Sequence, residues 1–195
     1  MVNRDAPTGL MPAFHLTGGL IRLQKYSIAS GYTVDIFTGD LVHQVGTGKN
    51  IEAGDAAADA PFVGVFMGVE WTDTDGTPRY SKYWPANTVT LATQDATALV
   101  VDDPFVVFQI QSDGPTDVAD IGSTADIAYT AGSTSTGLSK TELDDSNIGT
   151  GLNLKIYDIV DRVDNTAGLT AVDLYVLINE HSSNNAGVAA FEQIA

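Results

Sequence analysis

The chain has no cysteine in its 195 residues, which excludes disulfide frameworks, thiolate nucleophiles and cysteine metal sites together. It is also poor in cations, because nine lysines and arginines stand against 25 aspartates and glutamates, a formal net charge of -16. The cations are scattered along the chain and form no basic patch. A surface this anionic repels phosphate backbones, so we expect no nucleic-acid partner.

Long apolar segments are missing as well. The strongest apolar run, residues 62–69, is too short to cross a bilayer, so we expect no membrane partner. The N-terminus lacks the apolar core of a signal peptide, which predicts synthesis in the cytoplasm. Hydrophobic residues nevertheless make up 44% of the chain and charged residues only 17%, which is typical of a folded protein.

The sequence shows no motif of catalysis or cofactor binding. His15, His43 and His181 are far apart, and none belongs to a pair with metal-ligand spacing. The chain contains no Gly-x-Ser-x-Gly elbow, and residues 46–49 (GTGK) do not have the spacing of a phosphate-binding loop. We therefore expect no enzyme, cofactor or metal. A hydrolase whose acidic residues converge only in the folded protein stays open as an alternative.

Two kinds of acidic sequence contain the residue types that bind cations. Residues 73–76 (DTDG) resemble the start of a calcium loop, but the later ligands are absent, so we interpret them as a hairpin turn. The pairs Asp102-Asp103 and Asp144-Asp145 could hold a cation, although acid pairs in turns are usually solvated.

Short apolar runs separated by Gly, Asp, Thr and Ala turns predict an all-β fold of about nine antiparallel strands with long loops. A β-barrel and a β-sandwich of jelly-roll-like type both fit this pattern. In the strongest strand, residues 62–71, glycines alternate with large residues, as happens where a strand bends or another backbone comes close. The other clear strands are residues 41–45, 79–84, 105–111, 152–160 and 172–178.

The composition divides the chain into three parts. Residues 1–20 combine prolines and glycines with apolar side chains, which predicts an extended N-terminal arm that packs on its own domain or on a neighbouring subunit. Residues 21–181 form a β-rich domain with a loop-rich insertion around 112–151, in which a capping box, residues 139–142 (SKTE), predicts a short helical turn. Residues 182–195 are predicted to be a flexible C-terminal tail.

Four aromatic residues flank the predicted hairpin: Trp71, Tyr80, Tyr83 and Trp84. Aromatic residues on paired strands usually pack in the core or across the strands. They can also form a platform for a sugar ring. The alternative function is therefore a carbohydrate-binding β-sandwich module that uses Trp71 and Trp84.

The order of several short motifs resembles the capsid decoration (cement, or head-stabilising) proteins of tailed bacteriophages. These motifs are residues 6–10 (APTGL), 15–19 (HLTGG), 26–32 (YSIASGY), 38–42 (TGDLV), 64–69 (GVFMGV), 80–85 (YSKYWP), 102–105 (DDPF) and 174–181 (LYVLINEH). The resemblance covers most of the chain.

The resemblance implies a structural virion protein on the outer surface of the major capsid shell. Such proteins bridge neighbouring capsomers and stabilise the head, typically as homotrimers. The expected partners are thus the major capsid protein and further copies of this chain. The candidate capsid contacts lie in the arm and are Pro7, Leu10, Met11, Phe14, His15 and Leu16.

Overall fold

The protein is an antiparallel β-sandwich in a computed structural model that describes residues 3–46 and 48–183. No α-helix occurs in these two ranges, and three short 3₁₀ turns are the only helical elements there. The strands are β1 (Met11–His15), β2 (Gln24–Ile28), β3 (Ile36–Phe37), β4 (Leu41–Gln44), β5 (Ile51–Ala53), β6 (Phe62–Thr72), β7 (Pro78–Ser81), β8 (Tyr83–Trp84), β9 (Ala96–Val101), β10 (Val106–Gln111), β11 (Thr124–Ala128), β12 (Glu142–Gly149), β13 (Leu154–Ile159) and β14 (Asp173–Ile178).

Two large sheets hold most of these strands. The first sheet has the order β1-β10-β14-β13-β11-β12, and the second has the order β2-β9-β6-β4-β5 with β7 paired to β6. The predicted all-β fold is confirmed, as a sandwich and without a closed barrel in the described part of the chain. Within the described residues the chain passes between the two large sheets twice, from β1 to β2 and from β9 to β10.

Alternating side chains of the second sheet serve two separate cores. On β6, Val65 points into the core between the two sheets, where it joins Leu154 and Val176 of the first sheet. The next residue, Phe66, points into a second core around Trp84 on the opposite face. Because both faces of β6 are buried, this strand reads as a continuous apolar run in the sequence.

The segment predicted as a loop-rich insertion, residues 112–151, contributes two strands of the first sheet instead. Ala125 and Ile127 of β11 and Leu143 of β12 are buried in the core between the sheets. The predicted helical turn is also wrong. The Ser139 side chain accepts a hydrogen bond from the backbone N–H of Thr141 at 3.0 Å, which stabilises a local turn that leads directly into β12.

The described residues of the predicted arm pack on their own domain. The Asn3 side chain is buried and donates hydrogen bonds to the carbonyls of Thr166 and Thr170. Leu10 is completely buried in the core between the sheets, and β1 then pairs with β10 as an edge strand. Of the predicted tail 182–195, only residues 182 and 183 belong to the described residues.

Replacing Leu10 with alanine tests whether the N-terminal segment is a structural part of the domain. We expect a loss of about 2–5 kcal/mol in the free energy of unfolding, because a buried leucine leaves a cavity when it is truncated. The matched control is Leu16→Ala, since Leu16 is 39% exposed and should lose far less. Urea denaturation followed by circular dichroism measures both; equal losses would contradict the packing described here.

Candidate interaction surface

The structure separates the six predicted capsid contacts. Leu10 lies in the core, and Pro7 is half-buried beside a cleft lined by residues 133–140. The other four lie in or directly after β1: Met11, Phe14, His15 and Leu16. Phe14 and Leu16 are each 39% exposed, so they are the two members of the set with the largest accessible apolar surface.

Phe14 belongs to an aromatic cluster on the outer face of the first sheet. Its ring meets the Tyr175 ring edge-on at 5.4 Å between centroids, and the Tyr157 ring at 6.1 Å. Tyr175 lies on β14 between the buried Leu174 and Val176, so its side chain points away from the core. Tyr157 follows the buried Ile156 on β13, at an irregularity in the pairing of β13 with β14. Tyr157 is 44% exposed. Edge-to-face packing fixes the three rings while leaving apolar surface open.

Further exposed apolar side chains follow along the chain between β1 and β2. The backbone N–H of Leu16 donates to the carbonyl of Phe105 at 3.0 Å, and the Phe105 side chain is itself half exposed. Residues 17–23 then run across the side of the sandwich as an exposed strap. We call this surface the lateral patch, and it comprises Phe14, Leu16, Leu20, Ile21, Leu23, Phe105, Tyr157 and Tyr175.

His15 fixes the local geometry of the lateral patch. Its Nδ1 accepts a hydrogen bond from the backbone N–H of Thr17 at 3.2 Å, so the ring proton of neutral His15 is on Nε2, which lies 3.2 Å from an Asp103 carboxylate oxygen. A hydrogen bond from the backbone N–H of Phe105, and then His15, lower the pKa of Asp103. His15 therefore ties the loop that carries Phe105 to the end of β1.

The two tryptophans of the predicted sugar platform pack against each other and contribute to the second core. Trp84 is completely buried, and its Nε1 donates to the carbonyl of Tyr32 at 3.4 Å. Trp71 packs edge-on against Trp84, with 5.8 Å between the ring centroids. Trp84 therefore presents no face to a ligand. Of the four aromatic residues at the hairpin, Tyr80 is the most exposed, at 76%.

Acidic side chains converge at the opposite edge of the first sheet. Asp113, Asp144 and Asp145 bring carboxylate oxygens within 4.8 Å of one another, and they are the one group with metal-ligand proximity in the described ranges. Burial and then the neighbouring Asp113 raise the pKa of Asp145. The sequence pointed to Asp144 and Asp145 but not to Asp113, which a turn between β10 and β11 places beside them.

A buried carboxylate lies where three chain segments cross. Asp40 is 1% exposed, and its carboxylate accepts hydrogen bonds from the backbone N–H of Phe37 at 2.7 Å and from the Thr141 hydroxyl at 3.4 Å. A Cβ on Gly9 would lie 2.5 Å from the carbonyl oxygen of Gly39, so the backbones of Gly9 and Gly39 are in direct contact beside Asp40. Burial raises the pKa of Asp40 from 3.8 to about 6.

Asp40→Asn should make the protein more stable at pH 8 but not at pH 4. The pKa of Asp40 is higher in the folded protein than in the unfolded chain, so ionisation of Asp40 opposes folding. Above about pH 6 this costs roughly 3 kcal/mol of stability. The cost disappears as the pH falls towards 3.8. Without a charge, the asparagine Oδ1 can accept from the backbone N–H of Phe37, and its Nδ2 can donate to the Thr141 hydroxyl oxygen. Melting temperatures at pH 4 and pH 8 measure the effect; a variant that follows the wild type at both would contradict it.

In the described part of the chain no helix has the length and apolar character needed to cross a bilayer. Comparison with known proteins adds no relative: no protein-family model, curated protein or solved structure matches the chain. The resemblance to phage decoration proteins stays a prediction that depends on the order of the sequence motifs.

Proposed function

We propose that this protein is a structural virion protein that binds the outer surface of a phage major capsid shell. It stabilises the shell by bridging neighbouring capsomers, and it does so as a homotrimer. The observation that carries the proposal is the lateral patch, which exposes seven large apolar side chains on a protein of net charge -16. Large exposed apolar patches are typical of protein-binding sites.

The lateral patch suits a permanent contact because its anchors are already ordered. Phe14 is held against Tyr157 and Tyr175, and Leu16 and Phe105 are connected by a backbone hydrogen bond. Side chains that are fixed before binding lose little conformational entropy when they dock. Aromatic residues in such positions commonly supply most of the binding energy of an interface.

The charge supports a position outside the shell. Packaged DNA repels a protein with 25 acidic and nine basic residues, so this chain is poorly suited to line the interior. Contacts made through the lateral patch also keep the acidic cluster of Asp113, Asp144 and Asp145, at the far edge of the first sheet, away from the bound surface. This arrangement lets the apolar contact form without bringing those carboxylates against a partner.

Reconstitution on capsids tests the proposal. The purified chain is mixed with capsids assembled from the major capsid protein of the same virus, and bound protein is separated by sedimentation. We expect saturable co-sedimentation at micromolar concentration, more rupture-resistant capsids, and a trimer by light scattering in solution or on the shell. A chain that stays in the supernatant at all concentrations would refute the proposal.

A further inference from the structure

A pocket of about 240 Å³ lies between the β6–β7 hairpin and the segment that leads into β9. It shares no residue with the lateral patch. The pocket combines one exposed aromatic ring with carboxylate, amide and hydroxyl groups. Its lining includes Glu70, Trp71, Tyr80, Gln94, Asp95 and Thr97.

The aromatic ring of the pocket is Tyr80, on β7. Tyr80 pairs with Glu70 in the antiparallel register, and Glu70 pairs in turn with Thr97 of β9. Directly paired residues point to the same face of a sheet, so these three side chains converge. The Lys25 ammonium lies 3.2 Å from the Glu70 carboxylate.

The opposite wall of the pocket carries side chains that are available to a ligand. Within the described residues, the Gln94 and Asp95 side chains make no hydrogen bond to the protein, and both are exposed. The turn before them holds two consecutive non-glycine residues at positive φ, Ala92 at 51° and Thr93 at 55°. Such conformations are unfavourable for side-chain-bearing residues and concentrate at functional sites.

We propose that this pocket binds a neutral sugar unit of a glycan. A pyranose ring has an apolar face of C–H groups, which can stack on Tyr80, and a rim of hydroxyls, which can donate to Asp95 and exchange hydrogen bonds with Gln94. The cations at the pocket are already engaged, since Arg79 pairs with Asp73 at 3.3 Å and Lys25 pairs with Glu70. The pocket would therefore repel an anionic sugar, because no unpaired cation among the described residues offsets its carboxylates.

This inference is independent of the proposed capsid function and replaces the platform of Trp71 and Trp84 that the sequence suggested. Trp71 lines the pocket, while its contact with the buried Trp84 fixes the hairpin that carries Tyr80. A virion protein with such a pocket would place a glycan-binding site on the outside of the particle. The two surfaces can be tested separately because no residue belongs to both.

Saturation-transfer NMR with a panel of methyl glycosides tests the proposal. The panel contains galactose, glucose, mannose and N-acetylglucosamine as neutral sugars, with N-acetylneuraminic acid and choline as charged probes. We expect at least one neutral sugar to bind the full chain with millimolar affinity. Tyr80→Ala and Asp95→Asn should each weaken that binding at least tenfold. The matched control, Tyr157→Ala, removes an exposed tyrosine from the lateral patch and should bind the sugar like the wild type.

The possible results separate clearly. Saturation transfer to a neutral sugar that depends on Tyr80 and Asp95 supports the inference. Absence of transfer to every neutral sugar, tighter binding of either charged probe, or wild-type binding by Tyr80→Ala would overturn it. Asp95→Asn is nearly isosteric with the wild type at an exposed position, so it keeps the test valid even if the tyrosine variant is altered in its fold.

Discussion

Gly64→Ala is expected to prevent the protein from folding stably. Gly64 lies on β6 at the centre of the second sheet, where an added Cβ would overlap the carbonyl oxygen of Val101. The same Cβ would lie 2.8 Å from the carbonyl carbon of Val101 and 3.0 Å from the Cα of Asp102. All these atoms belong to the backbone, so no side-chain rotation relieves the clash. The strands β6 and β9 would have to separate.

The expected loss exceeds about 4 kcal/mol, which is a large part of the total stability of a typical domain. Urea denaturation followed by tryptophan fluorescence measures it, because Trp84 is buried in the second core. The matched control is Gly149→Ala on β12, where the nearest atom to an added Cβ is the Leu152 Cδ1 at 3.8 Å. That control should change stability by less than about 1 kcal/mol. Equal unfolding midpoints for the two variants would show that β6 and β9 are not packed as described.

Combining Phe14→Ala with Tyr157→Ala is expected to weaken capsid attachment at least a hundredfold. Each single substitution should weaken it about tenfold, since an aromatic anchor at the centre of an interface commonly contributes more than about 1.4 kcal/mol. Quantitative co-sedimentation with capsids gives the apparent affinities. Both side chains contribute exposed apolar surface to the lateral patch, and their rings contact each other.

Two controls distinguish loss of binding from loss of fold. Tyr80→Ala removes a more exposed tyrosine outside the lateral patch and should attach like the wild type. Leu20→Ser alters a side chain that is 89% exposed, so it should weaken attachment without lowering the melting temperature. If Tyr80→Ala detaches the protein while the Phe14 and Tyr157 variants remain bound, the capsid contact lies elsewhere.

The regular strands of the second sheet could be predicted from the pattern of apolar residues in the sequence. The predicted strand 62–71 corresponds to β6 (Phe62–Thr72), and the predicted turn at residues 73–76 lies between it and β7 (Pro78–Ser81). Both could be recognised because long apolar runs and Asp-Gly turns depend on local sequence. Residues 91–93, by contrast, form a 3₁₀ turn, in which Ala92 takes a left-handed conformation that β-propensity does not anticipate.

Strand β12 could not be predicted from the sequence because it lacks the alternation of apolar and polar residues that marks a strand. It is an edge strand of the first sheet, contains three acidic residues, and buries only Leu143 in the core between the sheets. Such strands lack the apolar alternation on which a sequence prediction depends. Polar and acidic edge strands are common because they discourage pairing with other chains.

The lateral patch was predicted only in part. Phe14 and Leu16 were identified from the apolar composition of the N-terminal segment, but composition could not separate them from the buried Leu10. Tyr157 and Tyr175 were missed because they are far from Phe14 in sequence. The sheet order β1-β10-β14-β13 brings them together, and no local pattern specifies that order.

Electron microscopy of purified particles tests the central claim most directly. Particles that carry this protein are compared with particles from a virus in which its gene is deleted. The account predicts extra density on the outside of the shell at the contacts between capsomers, with the lateral patch of each copy facing the shell. Identical maps, density inside the shell, or copies attached through another face would contradict it.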